Sequence, residues 1–318
     1  MSYNNTITIA TNRSSIESLI VAYYSLTLII LGTSFNTITF IVLCRSSFRD
    51  KRAKPTLHYM RAMAIFDICM LYGWNLDHYL TIIYEFHILH YSIISCRFFS
   101  FISYFAAQSS AWLRVFVCLD RYLSLSHLHR TWFSQSKNVL IIIASILSIL
   151  LLLNFHFFLF VCYYEADGTI NALSWLYNIY PLWDYVNFVI YNCAPFIFMV
   201  IFNSGVIYHL IRLKRTTIIR NSRIRHRAIS VTLVITTFLF LLMTVPSTIA
   251  FAFFSTSDIT LLRFFDGLLY SYYILSFPLY LITLDEFRQE FITMITCKGN
   301  IRRITPEIRI VAPQAELR

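Results

Sequence analysis

Four charged residues sit where the sequence around them is almost wholly apolar. Asp67 closes the run MAIFD, while Arg114 and the triplet Asp120-Arg121-Tyr122 fall in one stretch of aromatic and aliphatic residues between 96 and 126. An acid beside a base makes an ion pair, and a guanidinium carries five donors in a fixed fork that matches a carboxylate. Two readings of the triplet stand at this level: an interfacial pair that snorkels toward lipid headgroups, or a latch that can be opened. Covalent chemistry is not indicated. Neither H-E-x-x-H nor G-x-S-x-G occurs, and no clustered carboxylates or metal-like histidine spacing is seen, so the chain reads as neither an enzyme nor a metal protein.

The elements that hold these charges follow from composition. Hydrophobic residues make up 58% of 318 and charged residues 13%, with only 6 Gly and 7 Pro, which is far more apolar than a water-soluble domain. Residues 18–44, 138–164, 185–211, 228–257 and 267–284 contain no Lys, Arg, Asp or Glu, and each is close to or above the ~20 residues that cross a bilayer. Two further stretches are interrupted by charge: 58–79, with Arg61, Asp67 and Asp77, and 96–126, with Arg97, Arg114, Asp120 and Arg121. Backbone amides must pair within lipid, so these runs predict helices. The expected fold is an all-α membrane protein: a seven-transmembrane helix bundle over 18–284, an N-terminal tail at 1–17, a short amphipathic helix at 285–297 and a C-terminal tail at 298–318.

Orientation follows from Lys and Arg. The segments between spans one and two and between five and six are strongly basic, as is the tail, so they are expected to be cytoplasmic. The alternate loops carry Glu85, Glu165, Asp167, Asp184 and Asp258 and face outward. Two sequons, at Asn4 and Asn12, agree with an extracellular, glycosylated N-terminus. A net charge of +10 is a topology signal here, with contacts to anionic lipid, rather than a nucleic-acid signal. No cleavable leader is seen in the sequence, so span one is expected to serve as the insertion signal. Cys96 and Cys162 are the two cysteines on the outer side and can pair in an oxidising compartment, and Cys297, beside the inner face, is a candidate for acylation.

With seven spans, an outer cysteine at the head of span three and Asp120-Arg121-Tyr122 at its foot, the chain resembles the rhodopsin-like (class A) G-protein-coupled receptors. Cys96 and Arg121 are 25 residues apart, ~37 Å of helix, enough to cross the membrane. The resemblance covers roughly residues 18–297. Asn36 in LGTSFNTITF, Asp67, Pro195 and Pro246 match further motif positions, and SFPLYLITLDEF is similar to the span-seven motif with Tyr280 in the tyrosine place. The resemblance implies a Cys96–Cys162 bridge and a latch in which Arg121 leaves Asp120 to meet a heterotrimeric G protein while span six swings about Pro246. It also implies a plasma-membrane location and a sodium or polar-core site at Asn36, Asp67, Ser110 and Ser276. Several positions depart from the pattern. Thr244 replaces the span-six aromatic, Ser276 and Phe277 stand for Asn-Pro with Pro278 one place late, Asn203 replaces a span-five tyrosine, and span four lacks its tryptophan. No acid lies at the foot of span six, RNSRIRHRAIS, to clamp Arg121, so raised ligand-independent signalling is expected.

Arg114 lies seven residues, about 10 Å, above Arg121, where the family keeps an aliphatic side chain. A buried arginine needs a carboxylate, and Asp67 is nearest in depth, so the two are expected to pair and to displace sodium. The ligand is narrowed by exclusion. No lysine lies in a span and the retinal position is Tyr270, which excludes a Schiff base, and Ser103 stands in the place of the amine-binding acid. What remains is an acidic, aromatic outer rim with Glu165, Asp167, Trp183 and Asp184, which suits a short extracellular peptide with a cationic end. Lipid and odorant ligands, or a non-signalling membrane protein such as a transporter, form the alternative. Against a transporter, no internal repeat or matched pair of broken helices is seen.

Overall fold

The computed structural model describes residues 2–45, 56–126, 135–166, 168–171, 180–215, 221–254 and 259–296, and these are overwhelmingly helical. In chain order the helices are α1 (Ser2–Cys44), α2 (Thr56–Tyr72), α3 (Trp74–Tyr84), α4 (Ile88–Tyr91), α5 (Ile93–Leu125), α6 (Ser136–Asn154) and α7 (His156–Phe160). A two-residue antiparallel hairpin follows, β1 (Tyr163–Tyr164) with β2 (Ile170–Asn171). Then come α8 (Tyr180–Phe188), a π-helical turn (Val189–Cys193), α9 (Ala194–Arg215), α10 (Asn221–Phe254), α11 (Ile259–Tyr272), α12 (Ser276–Thr283) and α13 (Asp285–Ile295).

Among the described residues three helices are long and apolar enough to cross a membrane: Ile16–Cys44, Ser136–Phe160 and Tyr185–Arg212; α10 contributes a shorter apolar stretch, Val234–Ala250. Burial supports a lipid setting for these helices. Only 28% of the most apolar window of Ser136–Phe160 is buried, and Ile149 and Leu152 are 66% and 71% exposed. An apolar helix with so little cover from its own chain has the length and composition of a membrane span.

Helix ends and breaks have local causes. A reciprocal serine cap opens α5: the Ser95 amide donates to Ser92 Oγ at 3.1 Å and the Ser92 amide to Ser95 Oγ at 3.2 Å. The π turn precedes Pro195, whose missing N–H and bulky ring disturb the bond to Tyr191 one turn back. The sequence reads 58–79 and 267–284 as single spans, but both are divided. The first breaks at Gly73, and the second at residues 273–275, where Pro278 occupies the first turn of α12, the part of a helix that tolerates a missing N–H. α1 runs without a break from Ser2 to Cys44, through the position near residue 17 where composition changes.

The longest central contacts are made by α5, which packs against α2, α6, α9 and α10. Three apolar cores follow one another along it. One, around Cys96, Phe101, Phe157 and Trp183, marks the disulfide end. A middle core gathers Ala107, Ala111, Met199, Phe240, Tyr272 and Tyr273. The third, with Leu57, Met60, Val117, Tyr280 and Phe287, lies toward Arg121. In this last core α13 is seated by Phe287, fully buried, and by the Arg45–Glu290 ion pair at 3.0 Å.

Candidate functional site

The middle of the structure holds a polar cluster inside the apolar core. Asp67 on α2 and Arg114 on α5 are 1% and 4% exposed. Arg114 Nη2 donates to both carboxylate oxygens of Asp67, at 3.1 and 3.0 Å, and Nη1 to the Ser110 carbonyl at 2.9 Å and to the Ser110 hydroxyl. Nε donates to the Tyr272 hydroxyl at 2.8 Å, and that hydroxyl donates to the Thr236 carbonyl on α10 at 3.2 Å. Ser110 Oγ donates to Asp67 at 2.5 Å. Three rings surround the guanidinium carbon, Tyr272 at 4.9 Å, Phe240 at 5.3 Å and Tyr273 at 5.8 Å from their centroids. Asn36 lies one layer away and donates to the Tyr273 carbonyl at 2.9 Å, while Ser276, three residues past Tyr273, is buried.

The sodium ion implied at Asp67 does not fit these residues. Both oxygens of Asp67 are taken by a guanidinium, the pair is already neutral, and a further cation would add uncompensated charge to a buried site. Among the described residues no group of three or more His, Cys, Asp or Glu could hold a metal.

At the far end of α5, Arg121 is 3% exposed and its Nη2 donates to Asp120 Oδ2 at 2.9 Å. Thr56 at the start of α2 donates to the same oxygen. Nε of Arg121 is buried and finds no acceptor among the described residues. The side chains of residues 221–230 at the foot of α10, His226 among them, lie outside the described residues. Tyr122 turns to α9, stacking on Phe202 at 6.2 Å and pressing on Gly205, where a Cβ would come within 2.5 Å of its ring. Tyr280 is buried beside Phe287, and Pro246 is half-buried within an unbroken α10.

The opposite end of α5 is joined to the segment after α7 by the Cys96–Cys162 disulfide. Arg97 Nε donates to the Val161 carbonyl at 2.9 Å beside it. The outer rim expected from sequence is only partly assembled here. Glu165 is exposed at the tip of the hairpin, with its amide donating to the Thr169 carbonyl at 2.8 Å. Trp183 does not stand on an open rim: it is 8% exposed, wedged between Tyr104, Phe157 and His156, because its large apolar area is used to close the core beneath the disulfide. Tyr270 and Ser103 are likewise buried; Tyr270 belongs to the middle core and the Ser103 hydroxyl donates to the Phe99 carbonyl at 2.8 Å. Asp167 and Cys297 lie outside the described residues, as do the side chains of Asp184, Asn4 and Asn12.

Three features were not foreseen from sequence: the Tyr272 relay, the Thr56 contact to Asp120, and a bridge in which Asn154 on α6 donates to Gln108 at 2.7 Å and Gln108 donates to Asn187 on α8 at 3.0 Å. A cavity of about 380 Å³ also lies between α1 and α11, with Ile20, Val21, Phe264 and Leu268 on its walls and Arg263 among its polar residues. Comparison with protein-family models and with curated proteins finds no match.

Proposed function

We propose that this chain is a plasma-membrane receptor of the rhodopsin-like class, a seven-helix bundle with its N-terminus outside and C-terminus in the cytoplasm. It converts binding of an extracellular ligand, a short peptide, into activation of a heterotrimeric G protein. One observation carries the reading: a buried arginine, Arg121, held by the adjacent Asp120, at one end of a 33-residue helix that is tethered by a disulfide at the other. Among the described residues the buried Nε of Arg121 has no acceptor, a cost of roughly 1–3 kcal/mol for an orphaned group. An incoming acceptor from a partner relieves that cost, which is what a releasable latch needs. Outward movement of α10, pivoting where Pro246 frees the Leu242 carbonyl, opens the way. The acidic hairpin beside the disulfide supports a ligand with a cationic end.

The test is G-protein nucleotide exchange in nanodiscs holding the full chain, screened with a peptide library. Ligand-dependent exchange that disappears in Arg121→Ala supports the reading; exchange unaltered by that substitution rejects it. A second reading, an acyl-chain lipid as the ligand, is favoured by the cavity between α1 and α11, whose walls are mainly apolar and whose size falls in the ligand-pocket range of ~300–1,000 Å³. The same assay with lipid fractions in place of peptides separates the two.

A further inference from the structure

We propose that Arg114 is a resident cation: a charge carried covalently by α5 that fills the place beside Asp67 where an exchangeable ion would bind, and that holds α10 against α11 through the Tyr272 hydroxyl. The second half rests on the receptor reading above; the first does not.

The geometry is that of a cage built for a planar cation. All three guanidinium nitrogens have acceptors: Nε meets Tyr272, Nη1 meets the carbonyl and hydroxyl of Ser110, and Nη2 meets both oxygens of Asp67. Aromatic rings cover the faces that hydrogen bonds leave open. A spherical ion needs several oxygens converging on one point, whereas these acceptors are spread around the edge of a fork. The charge sum is zero without any ion from solution. A loose cation can come and go; this one cannot leave, so the site's occupancy is independent of the ionic medium.

The cage also spans four helices. Asp67 comes from α2, Ser110 and Arg114 from α5, Tyr272 and Tyr273 from the end of α11 and the turn after it, and Phe240 and the Thr236 carbonyl from α10. Thr236 is ten residues, ~15 Å, from Pro246. The contacts at 236 and 240 therefore hold the portion of α10 on the Arg121 side of the proline. Any outward swing of that portion must break the Tyr272–Thr236 bond and draw Phe240 off the guanidinium. Tyr272 is thus a positioning residue: one hydroxyl accepts from the cation and donates to the moving helix.

The experiment uses the full-length chain in nanodiscs. Melting temperature is followed as choline chloride is exchanged for sodium chloride or guanidinium chloride at constant ionic strength and low total salt. The wild type is expected to melt at the same temperature throughout. Arg114→Ala should melt lower in choline and regain stability with guanidinium, the planar cation that fits the emptied fork, and adding Asp67→Asn should abolish that gain. Arg114→Gln, closer in volume, serves if the alanine variant is not recovered. A wild type stabilised by sodium, or an Arg114 variant indifferent to all three salts, overturns the resident cation. For the second half, spin labels on the ends of α5 and α10 nearest Arg121 report their separation in Tyr272→Phe. The population with α10 displaced should rise roughly fivefold, as expected for one buried hydrogen bond, with basal nucleotide exchange rising alongside. An unchanged distance distribution overturns the restraint. Displacement and salt responses as stated, with no exchange in any variant, overturn the receptor reading and leave the cage intact.

Discussion

Replacing Arg114 with methionine removes the guanidinium but keeps an unbranched side chain beside Asp67. Asp67 is then a carboxylate at 1% exposure with its hydroxyl partner Ser110 still in place and its charge unmatched. Breaking one side of a buried pair costs ~3–5 kcal/mol, because the surviving charge is stranded. Asp67→Asn strands the guanidinium instead and should cost a similar amount. The double variant Asp67→Asn/Arg114→Met removes both charges, and for buried pairs such replacement is close to neutral. The loss that remains comes from the Tyr272 and Ser110 bonds, about 1 kcal/mol each. A double-mutant cycle on the purified protein, read by thermal or denaturant unfolding, should therefore give a coupling energy above ~2 kcal/mol. At ~2 °C per kcal/mol, each single variant should melt ~6–10 °C below the wild type, with the double variant clearly above both. Single-variant losses that simply add, within ~0.5 kcal/mol, would refute the reasoning, since they would mean that the two groups do not sense each other.

Cys96→Ser should lower stability by up to ~4 kcal/mol, the chain-entropy value for a loop closed at a sequence separation of 66; melts with and without reductant check it. Gly205→Ala should cost ~1–3 kcal/mol by pushing Tyr122 off α9, and the cost should shrink when Tyr122 is also made alanine, which unfolding of the single and double variants decides. Thr56→Val removes a donor from Asp120 without changing volume, so ligand-independent nucleotide exchange should increase. His226→Glu restores an acid at the foot of α10 and should lower basal exchange below the wild-type level; equal turnover in the two proteins counts against the missing-clamp argument.

The helical, apolar character of the chain was legible because charge is locally absent from long stretches of it. The stretches 18–44, 138–164 and 185–211 coincide closely with the three long apolar helices for that reason. Breaks within spans were harder to read. Gly73 gives little local warning, and its break accompanies a close approach of α5, where a Cβ would lie 2.5 Å from Ser103 Oγ. The late Pro278 was visible, but not that residues 273–275 would leave the helix ahead of it.

The candidate site divides in the same way. That Arg114 needs an acid, and that Asp67 is the acid at its depth, follows from the high cost of lone charge in an apolar run, which is a property of composition and helical rise alone. Tyr272 and Thr56 carry no such signal, since a tyrosine among many and a threonine after a proline look like any other. Trp183 misled for a related reason: its type says amphipathic, and only its neighbours Tyr104 and Phe157 decide that the apolar part is buried. The sequence by itself determined which segments are helical and apolar and which charges must find partners, because those are local and energetically large. The tertiary structure alone decided which hydroxyls and rings complete the cage, because hydrogen-bond partners 36 and 158 residues apart, Tyr272 with Thr236 and with Arg114, are selected by how the helices pack.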